Sequence, residues 1–194
     1  MVKNVKLKDG TEVKLRELKK KDRKRLTTFF RSLPENDRKY LRVDVTDEDT
    51  IKQIIKSSKL GKDFRIIGII DDEIVADGLL EFETRKWKKH CGEIRLMVSK
   101  AFRRKGLGML LARELYLLAI REKVEDIIVK MMKPQVAAIN IFKRMGFKQE
   151  TVLPDYVIDL EGTKRDLIIM RCNVTEMWKE LEEYLENSDW QRVR

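Results

Sequence analysis

Apolar and polar positions along the chain follow two periods. Alternation, or an unbroken apolar run of strand length, occupies residues 13–16, 64–70, 73–82, 91–98, 126–131, 147–153, 157–160 and 165–173. Helical spacing governs the stretches between them. Residues 22–33 read as a helix ended by Pro34. Thr46-Asp47-Glu48-Asp49 reads as an N-cap with an acidic first turn, leading into Ile51, Ile54 and Ile55 on one face and stopping near Gly61. Leu107, Leu110, Leu111, Leu115 and Leu118 share the face of a third helix. Pro134 opens a fourth, which Gly146 closes by supplying a left-handed residue. Residues 175–186 predict a C-terminal helix with Trp178, Leu181 and Leu185 on one side.

Turn chemistry and connection lengths order these elements. Asp71-Asp72 and Glu161-Gly162 are hairpin turns. A long helix between the strands at 91–98 and 126–131 is a crossover, so those two strands should lie parallel. The order β-α-α-β-β-β-α-β-α-β-β predicts an α/β (α+β) fold with a mixed central sheet of six to seven strands flanked by helices. No Gly/Ser- or Pro-rich linker interrupts it, and 194 residues suit one domain over 1–194, with a core at about 11–172 and a C-terminal helix at 175–188.

The sequence is most informative at Val98-Ser99-Lys100-Ala101-Phe102-Arg103-Arg104-Lys105-Gly106-Leu107-Gly108, a turn between a strand and a helix. The first N–H groups of a helix lack intrahelical partners, and its dipole adds positive partial charge, so an anion docks there. Gly106 and Gly108 remove Cβ atoms that would hold a diphosphate away. Arg103, Arg104 and Lys105 add charge. The spacing fits neither G-x-G-x-x-G nor G-x-x-x-x-G-K-[ST], which sets aside a dinucleotide fingerprint and a Walker loop.

The R-x-x-G-x-G of Arg103, Gly106 and Gly108 resembles the acyl-CoA signature of the GNAT superfamily of N-acetyltransferases. So does Ala137-Ala138-Ile139-Asn140-Ile141-Phe142-Lys143-Arg144-Met145-Gly146-Phe147, a helix ending in Gly-Phe. In general character the chain looks like the protein-lysine acetyltransferase branch. The resemblance implies that the parallel strands splay and that acetyl-CoA lies in the gap, its pantetheine arm along Met97 and Val98 and its phosphates at Arg103, Arg104, Lys105, Gly106, Leu107 and Gly108. It implies Glu93 as general base for a direct attack in a ternary complex. Gln135 stands where many members have asparagine, with Asn140 as the nearby alternative for that contact. Phe142 replaces a common tyrosine and cannot protonate a leaving thiolate. Glu93 also reads as a surface strand carboxylate paired with Arg95 or a cross-strand lysine. His90 reads as an exposed loop residue, and Tyr156 and Asp159 as turn and strand residues near the place where acceptors bind.

Charge and cysteine usage narrow the partners. Lys and Arg number 43 against 33 Asp and Glu, a net charge of +10, and residues 1–31 hold 12 basic and 4 acidic side chains. Such a surface disfavours a polycationic acceptor. It offers no aromatic interleaving or recognition helix for nucleic acid. Cys91 and Cys172 lie in separate strands, show no ligand spacing with His90, the single histidine, and read as small buried hydrophobes, so no metal is expected. No apolar run approaches the roughly 20 residues that span a bilayer. The expected protein is a cytoplasmic acetyltransferase, monomer or homodimer, taking acetyl-CoA and a primary amine, on a protein or a small molecule. A non-catalytic acyl-CoA-binding regulator is the alternative that Phe142 keeps open.

Overall fold

The computed structural model describes residues 2–59, 63–82 and 86–176. Eight strands form one sheet: β1 (Val2–Lys6), β2 (Glu12–Glu17), β3 (Asp63–Ile70), β4 (Glu73–Phe82), β5 (Cys91–Val98), β6 (Asp126–Met132), β7 (Lys148–Ile158) and β8 (Lys164–Asn173). Their spatial order is β1-β2-β3-β4-β5-β6-β8-β7. Every neighbouring pair is antiparallel except β5 and β6. The helices are α1 (Arg23–Ser32), α2 (Glu35–Arg38), α3 (Glu48–Lys59), α4 (Leu107–Arg121) and α5 (Val136–Arg144).

Strand periodicity sorts the apolar residues to two cores, because successive side chains point to opposite faces. In β3, Ile66 joins the core under α4 while Ile67 joins the core under α1 and α3. Burial on both faces explains why β3 is an unbroken apolar run. The larger core holds Leu107, Leu111 and Leu115 of α4 against Leu80 and Ile94, and it reaches Ile139 and Phe142 of α5. The smaller holds Leu26, Phe29 and Phe30 of α1 with Ile51 of α3. Gly78 lets α4 approach the sheet: a Cβ there would lie 2.8 Å from Leu115 Cδ1.

Local signals act as the sequence implies. Asp47 caps α3, its Oδ2 accepting the Thr50 N–H at 2.7 Å. Asp71 and Asp72 both take positive φ, 47° and 66°, in the β3-β4 turn. Gly146 ends α5 with φ 84°.

Two differences from the sequence reading concern strands. The chain begins its sheet earlier than residue 11, because β1 pairs with β2 as a hairpin at the sheet edge. The segment 157–160 is no separate strand: β7 runs on to Ile158 through register shifts at Gln149/Thr151 and Leu153/Val157. Pro154, which cannot donate to a ladder, lies within the second irregularity, on an edge strand. Only the start of the expected C-terminal helix falls within the described residues; Trp178, Leu181 and Leu185 lie outside them.

Candidate active site

The parallel pair creates the opening. β5 and β6 are in register at Cys91↔Asp126, Gly92↔Ile127 and Glu93↔Ile128. Beyond these positions β5 continues to Val98 paired with β4, and β6 continues to Met132 paired with β8. Two strand edges therefore diverge, and backbone amides and carbonyls along them need a partner from outside the sheet. An extended chain carrying amide groups fits that need.

At the wide end of the opening, β5 passes through a 3-10 turn, Lys100–Phe102, into α4. Arg104 and Gly106 both take positive φ, 61° and 93°. The latter value is one that glycine adopts without steric cost. The first α4 bond runs from Leu110 N to Gly106 O at 3.0 Å, so the N–H groups of Leu107, Gly108 and Met109 precede the helical ladder. Leu107, the first residue of α4, is wholly buried in the larger core. Arg103 donates from Nε to the Val98 carbonyl at 3.0 Å and from its terminal nitrogens to Asp37 of α2 at 3.2 and 2.8 Å. Lys105 pairs with Asp9 at 2.9 Å, and that hydrogen bond, with those from Thr11, pulls the Asp9 carboxyl down to about 2. Arg104 is exposed. Gly108 has a second function, because a Cβ there would meet Ile141 Cδ1 of α5 at 3.0 Å.

The other candidate contacts divide. Val98 packs in the larger core and Met97 against the smaller, so the two face opposite sides of the sheet. The Gln135 side chain caps β6, its Oε1 accepting the Met132 N–H at 2.8 Å. Asn140 is exposed on α5. Phe142 is 2% exposed and stacks edge-on against Phe147 at 5.1 Å, so here it is a core residue rather than a side chain lining the opening.

Glu93 lies at the last β5 position paired with β6, on the face shared with Met97 and opposite the α4 core. Its side chain is 14% exposed and held by three cations: Arg42 from the connection between α2 and α3, Arg95 Nε at 3.3 Å and Lys130 Nζ at 3.0 Å. Burial pushes its carboxyl upward. The charges of Arg42 and then Arg95, the Arg42 hydrogen bond and the Lys130 charge outweigh that push and hold it below the usual glutamate range. Arg95 also binds Glu81 on the neighbouring strand. Pairing with Arg95 and a cross-strand lysine was legible from the sequence. Arg42 and Asp37 were not, since they belong to a segment without a motif and arrive by tertiary packing.

His90, Cys91 and Asp126 come together with potential ligand atoms within 4.8 Å of one another, a cluster that spacing along the chain does not reveal. The parallel register supplies it by setting Cys91 beside Asp126. Asp126 Oδ1 already accepts from Arg171 at 2.9 Å and Asn173 at 3.0 Å, so a cation there would share the carboxylate with a guanidinium. Cys172 is buried, Cys91 is only half-buried, and the two form no disulfide. Asp159 pins the β7-β8 turn, accepting from the N–H groups of Glu161 and Thr163 and from Arg165 Nε. Tyr156 is exposed. No helix among the described residues is long and apolar enough to cross a membrane.

Solved structures share this architecture. The GNAT-family acetyltransferase of Streptococcus pneumoniae superposes with TM-score 0.72 at 18% identity, covering 84% of this chain and 99% of that one. The ribosomal-protein-alanine N-acetyltransferase of Brucella melitensis gives 0.73 at 18%, covering 82% and 99%. The protein yncA of Salmonella typhimurium, solved with its cofactor acetyl-CoA, gives 0.73 at 17%, covering 84% and 94%. No curated protein matches the chain. The sequence model of the acetyltransferase (GNAT) family matches residues 28–147, from within α1 to the end of the Gly-Phe motif. The chain belongs to the GNAT family of acetyltransferases.

Proposed function

We propose that the protein transfers the acetyl group of acetyl-CoA to a primary amine, on a protein lysine or N-terminus, by direct attack in a ternary complex. The observation that carries this reading is the divergence of β5 from β6 just past Glu93, with the N-terminus of α4 at the wide end. The residues present fit acetyl-CoA. The diverging edges supply partners for pantetheine amides, and the N–H groups at Leu107, Gly108 and Met109 suit a diphosphate, with Arg103, Arg104 and Lys105 around it. Bound there, the thioester supplies an activated acetyl group and a thiolate leaving group.

In this scheme Glu93 accepts a proton from the acceptor ammonium. Its depressed pKa makes it a weak base that is ionised throughout the neutral range. The cations that depress it act on the acceptor as well: an ammonium beside Arg42, Arg95 and Lys130 loses its proton more readily. With Phe142 lacking a hydroxyl, the departing thiolate takes its proton from water. A protein acceptor draws support from neighbours named for one, such as the Brucella enzyme that acts on ribosomal-protein alanine.

The test supplies radiolabelled acetyl-CoA with cell extract. Label should enter protein, and Glu93→Gln should lower turnover by roughly 10²- to 10⁴-fold while keeping CoA binding, with recovery as pH rises. Label confined to small molecules would overturn the protein acceptor, and label transferred to nothing would overturn the enzyme.

A further inference from the structure

The three cations around Glu93 carry a statement about the acceptor, one that rests on the reading of Glu93 as the base. Arg95 has Glu81 as a second carboxylate. Arg42 and Lys130 have Glu93 as their one acidic partner among the described residues. Arg171, opposite Ile128 on β8, is itself paired with Glu150 and Asp126. For Glu93 to turn toward an amine it must loosen its hold on these two cations, which then lack a counter-charge at the mouth of a half-buried site. An acceptor that is only an ammonium, or a run of lysines, would add positive charge to three positive side chains.

We propose that the acceptor amine carries a carboxylate beside it, and that Arg42, with Lys130, is the specificity-determining residue that binds this carboxylate as Glu93 is released. The Arg42 guanidinium is a planar fork suited to a carboxylate, and at 42% exposure it is open to an incoming ligand. It stands on the connection between α2 and α3, outside the sheet, where it can exchange one carboxylate for another without disturbing a strand. The amine-plus-carboxylate chemistry fits a free amino acid and equally the N-terminal amine of a peptide whose first residues are acidic. Two arms of one experiment separate these sources.

The experiment follows release of free thiol from acetyl-CoA by the full-length protein. One arm compares glutamate with its fully amidated counterpart; the other compares a peptide beginning Ser-Glu-Glu with the same peptide beginning Ser-Gln-Gln. In at least one arm the acidic acceptor should have a kcat/KM about tenfold or more above its amide, chiefly through KM. Arg42→Gln should collapse that ratio toward one, and Arg42→Lys should restore part of it. Equal use of acid and amide, preference for a lysine-rich peptide, or an unchanged ratio in Arg42→Gln would overturn the proposal. If neither acidic acceptor releases thiol although label from acetyl-CoA enters cell extract, this inference is overturned and the acyl-transfer reading stands; if label enters nothing in the extract, both fall. An Arg42→Gln protein that loses its thermal transition would be replaced by Lys130→Gln, read by the same ratio.

Discussion

Asp22 is wholly buried at the start of α1 and receives two hydrogen bonds from Arg16, at 2.6 and 2.7 Å, and one from the Lys19 N–H at 2.9 Å. Burial pushes its carboxyl upward. The Arg16 hydrogen bonds, the Lys19 N–H and the charges of Arg16 and Arg25 prevail and hold it below the usual aspartate value. A depressed folded-state pKa contributes stability that is fully present above the unfolded value of about 3.9 and is lost as pH falls through the folded value. Asp22→Asn leaves Arg16 buried without a counter-charge, an outcome that typically costs about 3–5 kcal/mol. Urea denaturation at pH 7 should show that loss, and the gap between variant and parent should shrink below about pH 4. A gap independent of pH would show that packing at the start of α1, rather than the ion pair, is what matters. Glu93 is the contrasting residue: the same kind of shift there arises from cations that are themselves partly exposed.

Among the elements, the short segment around α2 reaches further than its length suggests. Asp37 holds Arg103 of the phosphate turn, the Lys39 carbonyl accepts from Leu160 N at 2.9 Å, the Lys39 ammonium pairs with Glu161 at 3.0 Å, and Arg42 holds Glu93. If Arg103 binds the diphosphate as proposed, Asp37 competes for it. We expect Asp37→Asn to tighten CoA binding by roughly three- to tenfold in titration calorimetry, because a charge-assisted pair no longer has to be broken. Unchanged or weaker binding would show instead that Asp37 holds Arg103 in its binding pose. The α4-α5 contact bears on the choice of probe for the phosphate turn. A bulky side chain at Gly108 would block phosphate, and it would also press on Ile141, so lost binding in Gly108→Val mixes ligand exclusion with overpacking.

At the scale of the whole molecule, the charge of +10 and the glycine-bearing turn should act together on the CoA proposed to bind there. CoA at a hundred times its dissociation constant should stabilise the fold by about 2.7 kcal/mol. For a chain of this size that raises Tm by roughly 5–10 °C. At a fixed CoA concentration the shift should diminish as salt rises. A scan that shows no shift with millimolar CoA would contradict the reading of the turn. Much of this molecule was legible in its residues. The unbroken run of β3, the Asp47 cap, the Asp71-Asp72 turn, the long crossover helix and the glycine-bearing turn are encoded by neighbours a few positions apart, where period, capping and backbone freedom act directly. Even β1 had a signal in Asp9-Gly10, weakened because its edge position buries little. The pairings across the site had none. Arg42 meets Glu93, Asp37 meets Arg103, and Asp126 meets His90 and Cys91 only once the sheet has brought distant segments together. A surface arginine or aspartate carries no local mark of the partner that packing will give it. The sequence by itself determined the elements, the family motifs and the glycine-bearing turn; the tertiary structure alone decided that Arg42 meets Glu93 and Asp37 meets Arg103, because these pairs depend on long-range contacts rather than on any local preference of the chain.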